Sequence, residues 1–320
     1  MTGNHPVIAP VIAPVITPVI TEDGERLDVV VRGHGAPVVL LHGWAADISA
    51  WFRLVDELAE SHTVYAWNAR GHGPRRHHPG LGAEPHLGLG AEPHLGHGAE
   101  PHLGPGPGPP LVERMAGDVL AVIAHFRLER PTLVGHSMGA LVAWQLAADH
   151  GLGAIGRLCL IDQSPRLVTD AGWRLGIYGD WSRERDAAFA DDLRADFAET
   201  VLRLIAEGHN EEARRHYLHN GRGIQRLREM LRSRDPEPHI ACWRSLTAAD
   251  YRPLLPALTL PVMLVYGGAS NYYGPETGGY VASRIPGAAF HVFDGADHSP
   301  HLADRARFIA LLRGFIAGGA

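Results

Sequence analysis

Thr132-Leu133-Val134-Gly135-His136-Ser137-Met138-Gly139 is the stretch that decides the fold. Thr132, Leu133 and Val134 read as the body of a short buried strand over 132–135, and residues 138–150 read as a helix. The pentapeptide 135–139 between them matches G-x-S-x-G. Small glycines permit a tight strand-to-helix turn there, which lifts a serine hydroxyl above the edge of a sheet. A bare pentapeptide is weak evidence, and a Gly-rich turn with an incidental serine is the bland reading. The strand before it and the helix after it are what make the motif specific.

Working outward, strands alternate with helices on both sides. Residues 27–31 and 38–42 read as strands, the second a continuous apolar run typical of a buried parallel sheet. Residues 48–61 carry Trp51, Leu54, Val55 and Leu58 on one helical face. A strand at 62–68, a helix at 113–126 and a strand at 157–162 follow. After a helical stretch from about 165 to 249 come a strand at 262–267, a helix at 276–285, a strand at 290–293 and a closing helix at 304–316. This alternation predicts an α/β fold with a mostly parallel central sheet flanked by helices.

Two low-complexity pieces interrupt that pattern. Residues 6–21 repeat a Pro-Val-Ile-Ala/Thr tetrad, and proline at every fourth position blocks both a helix ladder and a central strand. The expectation is a disordered or polyproline-like tail over 1–22. Residues 82–105 are three copies of an octad, GAEPHLGL, GAEPHLGH and GAEPHLGP. Octads so rich in Gly and Pro cannot bury a core, so residues 80–111 are expected to form a flexible insertion. The remaining chain divides into a first core part at 23–164, a helical cap at 165–250 and a second core part at 251–320.

Composition narrows the function. The chain has 320 residues and a net charge of −6 with histidine neutral, which argues against nucleic-acid binding through bulk positive charge. No run of 18 apolar residues occurs, so no membrane span is expected. The apolar N-terminal tetrads have no basic residue before Arg26 and are broken by proline, unlike a secretory signal. Two cysteines, Cys159 and Cys242, do not make a disulfide scaffold, and a cytoplasmic location is the expectation.

Two further stretches carry chemistry. His42-Gly43-Trp44 ends the strand at 38–42. A tetrahedral intermediate needs two backbone N–H donors. Met138, just after the serine, and Trp44, in this loop, are expected to supply them, with His42 as a buttress. Gly295-Ala296-Asp297-His298-Ser299-Pro300-His301-Leu302 lies between the last strand and the last helix. A histidine there can reach the nucleophile as general base. His298 has the right place in the chain order, and His301 is its nearest competitor. The histidines of the insertion (His86, His94, His97, His102) and the pair His77-His78 invite a metal reading, but a flexible Gly/Pro chain gives them no fixed geometry. No metal and no cofactor is expected.

With these pieces in place the chain resembles the α/β-hydrolase superfamily, in its serine esterase, haloperoxidase-like and carbon–carbon hydrolase branch. The matching pieces are HGW at 42–44, ARGHG at 69–73, GHSMG at 135–139, LIDQSP at 160–165 and GADHSPHL at 295–302. The resemblance implies a Ser–His–acid triad, an oxyanion hole and a cap between the sixth and seventh strands. The acid departs from the common pattern. Most of the family carries an Asp after the seventh strand, where this chain has Ser270 and Asn271. The other position used in the family is the end of the sixth strand, here Asp162. Asp162 is the favoured acid; the alternatives are Glu276, or an acid that the sequence does not identify, or none.

The expected protein is therefore a serine hydrolase of a small, largely apolar ester or lactone, with Ser137, His298 and Asp162 as triad and Trp44 and Met138 as oxyanion donors. A carbon–carbon bond hydrolase acting on a diketone, or a thioesterase, would use the same triad. A non-catalytic ligand-binding member of the superfamily is the alternative outside enzymes. Trp173, Tyr178, Trp181 and Trp243 are candidates to line the pocket together with Trp44. The bland reading is that these aromatics pack the cap onto the core.

Overall fold

The computed structural model describes residues 14–73 and 108–318. Within them one sheet holds β1 (Val15–Ile20), β2 (Arg26–Gly33), β3 (Ala36–Leu41), β4 (His62–Ala66), β5 (Thr132–His136), β6 (Arg157–Ile161), β7 (Val262–Gly267) and β8 (Ala289–Phe293). Their spatial order is β1-β2-β4-β3-β5-β6-β7-β8. β2 pairs antiparallel with both β1 and β4, and the pairings from β4 through β8 are parallel. This is the mostly parallel α/β sheet that the alternation predicts.

The helices are α1 (Phe52–Leu58), α2 (Val112–His125), α3 (Met138–His150), α4 (Arg183–Ala195), α5 (Phe197–Ala206), α6 (Glu211–His219), α7 (Arg222–Arg232), α8 (Pro236–Ala248), α9 (Pro275–Arg284), α10 (Pro300–Ala303) and α11 (Arg305–Ile316). The strands distribute their apolar residues to two faces with period two. Val39 and Leu41 pack with α2 and α3 residues such as Met115, Val119, Leu141 and Trp144. Val38 and Leu40 point the other way, onto Trp51, Leu54, Phe308 and Leu312 of the α1 and α11 side. A sheet buried on both faces explains why β3 reads as an unbroken apolar run.

Three expectations change. Residues 15–20 form β1 rather than a disordered tail; residues 1–13 lie outside the described part. β1 is an edge strand and Pro18 sits opposite Asp28, a position where a missing N–H can be tolerated. The helix expected over 48–61 is a 3-10 turn, Ile48–Trp51, followed by the short α1, because Asp47 caps the first turn through the Ser49 N–H at 2.9 Å. Residues 165–182 are largely irregular apart from a 3-10 turn at Ile177–Gly179, with α-helix beginning only at Arg183. Pro165, Gly172, Gly176 and Gly179 interrupt that stretch. The octads and their histidines lie outside the described residues.

Arg70, of the ARGHG stretch, fixes the loop after β4. It is 4% exposed, and its Nε lies 2.8 Å from Asp118 on α2 and its Nη1 2.6 Å from Asp23. Because β3, β5, β6, β7 and β8 run parallel, the loops that follow them open at one edge of the sheet, where ligands bind in open α/β folds.

Candidate active site

The turn from β5 to α3 places Ser137 at φ 54° and ψ −117°, a strained conformation for a residue with a side chain. The glycines around it are required by close approach. A Cβ on Gly135 would meet Gly139 O at 2.4 Å, and a Cβ on Gly139 would meet Leu41 O at 2.1 Å. The start of α3 can therefore sit directly against β3 and β5. Ser137 N donates to Ile161 O at 3.1 Å, which ties the turn to β6. Met138 is the first residue of α3, where an N–H has no partner within its own helix.

Asp162, one residue past β6, is wholly buried and has φ 46°. Its carboxylate accepts from three donors. Oδ1 takes the Gly267 N–H at 2.9 Å, and Oδ2 takes the Ser270 hydroxyl at 2.6 Å. The third donor is His298 Nδ1, also 2.6 Å from Oδ2. That bond puts the Nδ1 proton toward Asp162 and leaves Nε2 as the free lone pair.

His298 is held from several sides. Its backbone N–H donates to Asn271 Oδ1 at 3.1 Å, and its carbonyl accepts from His136 Nε2 at 2.8 Å. The Tyr272 ring meets the imidazole edge-on at 4.4 Å between centroids. His136 directly precedes the serine, so one side chain links the nucleophile turn to the backbone of the base. Burial, and then the neighbouring His301 and His298, hold His136 well below the usual histidine range.

Ser137 and His298 share the wall of a cavity of about 100 Å³ with Gly43, Trp44 and Met138. The rest of the wall comes from Gln163, Leu167, Ile177, Leu204, Trp243, Leu246, Tyr272 and Tyr273, with Ala46 and His136 completing it. Leu204 lies on α5, and Trp243 and Leu246 lie on α8, so the helices between β6 and β7 cover the sheet edge. The Trp44 and Trp243 rings pack at 4.8 Å, and Trp44 Nε1 donates to His239 O at 2.9 Å. Asp186 on α4 accepts from Trp243 Nε1 at 2.8 Å, Trp181 Nε1 at 3.0 Å and Thr247 Oγ1 at 2.9 Å. It thereby fixes the aromatic wall to α8.

Three of the expected pocket residues lie elsewhere. Trp173 is buried against Tyr280 at 5.0 Å, with its Nε1 donating to Arg166 O at 3.0 Å. Tyr178 and Trp181 meet edge to face at 5.7 Å, with Arg185 over both rings, in a separate surface depression. All three pack the segment onto its surroundings, and their indole and phenol polar atoms find backbone or Asp186 partners. His42 donates from Nδ1 to Gly43 O at 2.8 Å and accepts from Ala69 N at 2.9 Å, a buttress between two loops. His301 is buried against Trp51 and His136, and neither ring nitrogen has a partner among the described residues. Glu276 is exposed on the first turn of α9.

Sequence reasoning missed Gln163, Tyr272, Tyr273 and the hydroxyl of Ser270. The signal was present in Ser270-Asn271-Tyr272-Tyr273 after β7, a polar and aromatic run where a loop faces the site. It was read only for the carboxylate it lacks.

A family model for the alpha/beta hydrolase fold matches residues 36–304. A pimeloyl-[acyl-carrier protein] methyl ester esterase of Chromobacterium violaceum is 27% identical over 289 residues, covering 89% of this chain and 96% of that protein. A protein of the same description from Neisseria meningitidis is 30% identical over 189 residues, covering 58% of this chain and 69% of that one. Among solved structures, an esterase from Exiguobacterium antarcticum superposes with a TM-score of 0.73 at 21% identity, covering 95% of this chain and all of that one.

Proposed function

The chain belongs to the alpha/beta hydrolase fold family, and from that premise we propose that it is a serine hydrolase that cleaves a carboxylic ester of a small, largely apolar substrate. The observation that carries the reading is the 2.6 Å bond between His298 Nδ1 and the buried Asp162, with His298 and Ser137 on one cavity wall. The names of the similar proteins, esterases of a methyl ester among them, favour an ester over a carbon–carbon bond.

In this mechanism the Ser137 hydroxyl attacks the ester carbonyl as His298 Nε2 takes its proton. Asp162 keeps the imidazole in that tautomer and stabilises the imidazolium as it forms. The N–H groups of Trp44 and Met138 hold the negative oxygen of the tetrahedral intermediate. His298 then returns the proton to the departing alcohol. Water, activated by the same histidine, attacks the acyl-Ser137, and the acid leaves. The chemistry uses no metal or cofactor. Residues 165–250 act as the cap that excludes bulk water and shapes the acyl site. No described helix is long and apolar enough to cross a membrane. Both cysteines are buried and free, in keeping with a reducing cytoplasm.

Turnover of short p-nitrophenyl esters by the wild type and by Ser137→Ala tests this. Hydrolysis by the wild type that vanishes in the variant supports it. Equal rates in the two sink it.

A further inference from the structure

Gln163 directly follows the proposed acid in the chain and is 2% exposed, yet it lines the cavity that holds Ser137 and His298. Its surroundings dictate how its amide lies. The Gln163 carbonyl of the main chain accepts from Tyr266 Oη at 2.5 Å, which anchors the backbone. The side-chain Oε1 accepts from Tyr273 Oη. The Tyr273 hydroxyl has no other acceptor among the described residues, so its single proton is the one given to Gln163. Burial, and then the charge of Asp162, push the Tyr273 phenol well above its usual range, so that proton stays in place. Oε1 is thereby committed and Nε2 is left as a donor. Nε2 has no acceptor among the described residues and is not sealed inside the protein.

Most of the wall around this donor is apolar, with Ala46, Leu167, Ile177, Leu204 and Leu246 contributing. Among the described residues no arginine lines the cavity, and the chain has no lysine, so a carboxylate entering it would meet neither a guanidinium nor an ammonium group there. An amide NH₂ in such a wall favours a ligand that brings a neutral acceptor and disfavours one that covers it with hydrocarbon.

We propose that Gln163 sets specificity, its Nε2 donating to a neutral acceptor oxygen, a carbonyl or an ether, carried by the ester a few bonds from the scissile group. The inference rests on the serine esterase reading above. It assigns a substrate class to that site: apolar acyl esters with one additional neutral oxygen, such as oxo esters and diesters.

The test compares kcat/KM for p-nitrophenyl pentanoate and hexanoate with their 4-oxo and 5-oxo analogues, each normalised to its rate of hydroxide hydrolysis. The wild type should prefer at least one oxo ester by roughly five- to a hundredfold, the worth of leaving a buried donor unsatisfied. Gln163→Met keeps the length of the side chain without the donor, and the preference should collapse toward one. Gln163→Glu keeps an acceptor for Tyr273 and replaces the donor with oxygen. At pH 8 its preference should fall below one, and this variant decides the matter if the methionine protein is unfolded by circular dichroism. A wild-type ratio near one, or a preference unchanged in the folded variants, overturns the assignment while leaving ester hydrolysis intact. Loss of any Ser137-dependent turnover would instead overturn the esterase reading itself.

Discussion

Ser270 donates its hydroxyl to Asp162 at 2.6 Å from the place after β7 where most of the resembling hydrolases carry the acid. The carboxylate stands at the end of β6, and the position after β7 gives it a hydrogen bond. His298 therefore faces one charge, at the end of β6, supported by a neutral donor on β7. Swapping the two residues tests this relationship. Asp162→Asn combined with Ser270→Asp should recover at least about tenfold of the kcat/KM lost in Asp162→Asn alone, because the second position lies within one hydrogen bond of the first. No recovery in a folded double variant would show that the β7 position cannot serve His298.

Asp162→Asn by itself should lower kcat by about 10³–10⁴ through loss of the tautomer control on His298. Residual activity should persist from the oxyanion donors. The far-ultraviolet spectrum should match the wild type. Near-wild-type turnover would move the acid elsewhere, with Glu276 the next residue to test.

Buried histidine predicts a particular acid sensitivity. Burial, and then the neighbouring His298, lower His301 from 6.5 to about 3. The unfolded chain gains a proton as pH falls below 6.5 while the fold gains it only near 3. The stability associated with neutral His301 is therefore fully present above 6.5 and is lost as pH falls through the window from 6.5 to 3. The slope is roughly 1.4 kcal/mol per pH unit once well inside that window. Urea unfolding of the wild type and His301→Leu between pH 7.5 and 4.5 should show a shallower decline in the variant. Parallel declines would contradict the assignment.

The octad insertion should be dispensable. Its flanking residues meet, since a Cβ on Gly71 would lie 2.8 Å from Pro110 Cγ. A shorter connection can therefore join them, and loop closure depends only weakly on length. Deleting 82–105 should leave the melting temperature within about 3 °C and ester turnover within about twofold. A large drop in either would make the repeat part of the core or the site.

The alternation of strand and helix was legible because the buried parallel strands, such as Val38 to Leu41, have no polar face to confuse the period. That Ser137, Asp162 and His298 lie at one edge of the sheet was legible because Ser137 and Asp162 directly follow β5 and β6 and His298 lies in the loop after β8. The cavity wall was not, for a physical reason. An aromatic side chain carries the same signal whether it packs a segment down, as Trp173 and Trp181 do, or lines the cavity, as Tyr272 does. Which one occurs depends on where the tertiary fold carries the residue: Trp181 and Trp243 both bond Asp186, and only Trp243 lines the cavity. β1 was missed because proline periodicity argues against a central strand, and only the tertiary structure makes it an edge.

Ser137 acting as a nucleophile beside His298 is the centre of the proposed chemistry. The most direct measurement is labelling by a fluorophosphonate, read by intact-protein mass spectrometry and peptide mapping. One covalent adduct on Ser137 is expected, with loss of ester turnover in step with labelling. His298→Ala should slow labelling by orders of magnitude, and Ser137→Ala should abolish it. An unlabelled wild type that still hydrolyses esters, or an adduct mapped to another residue, would contradict it.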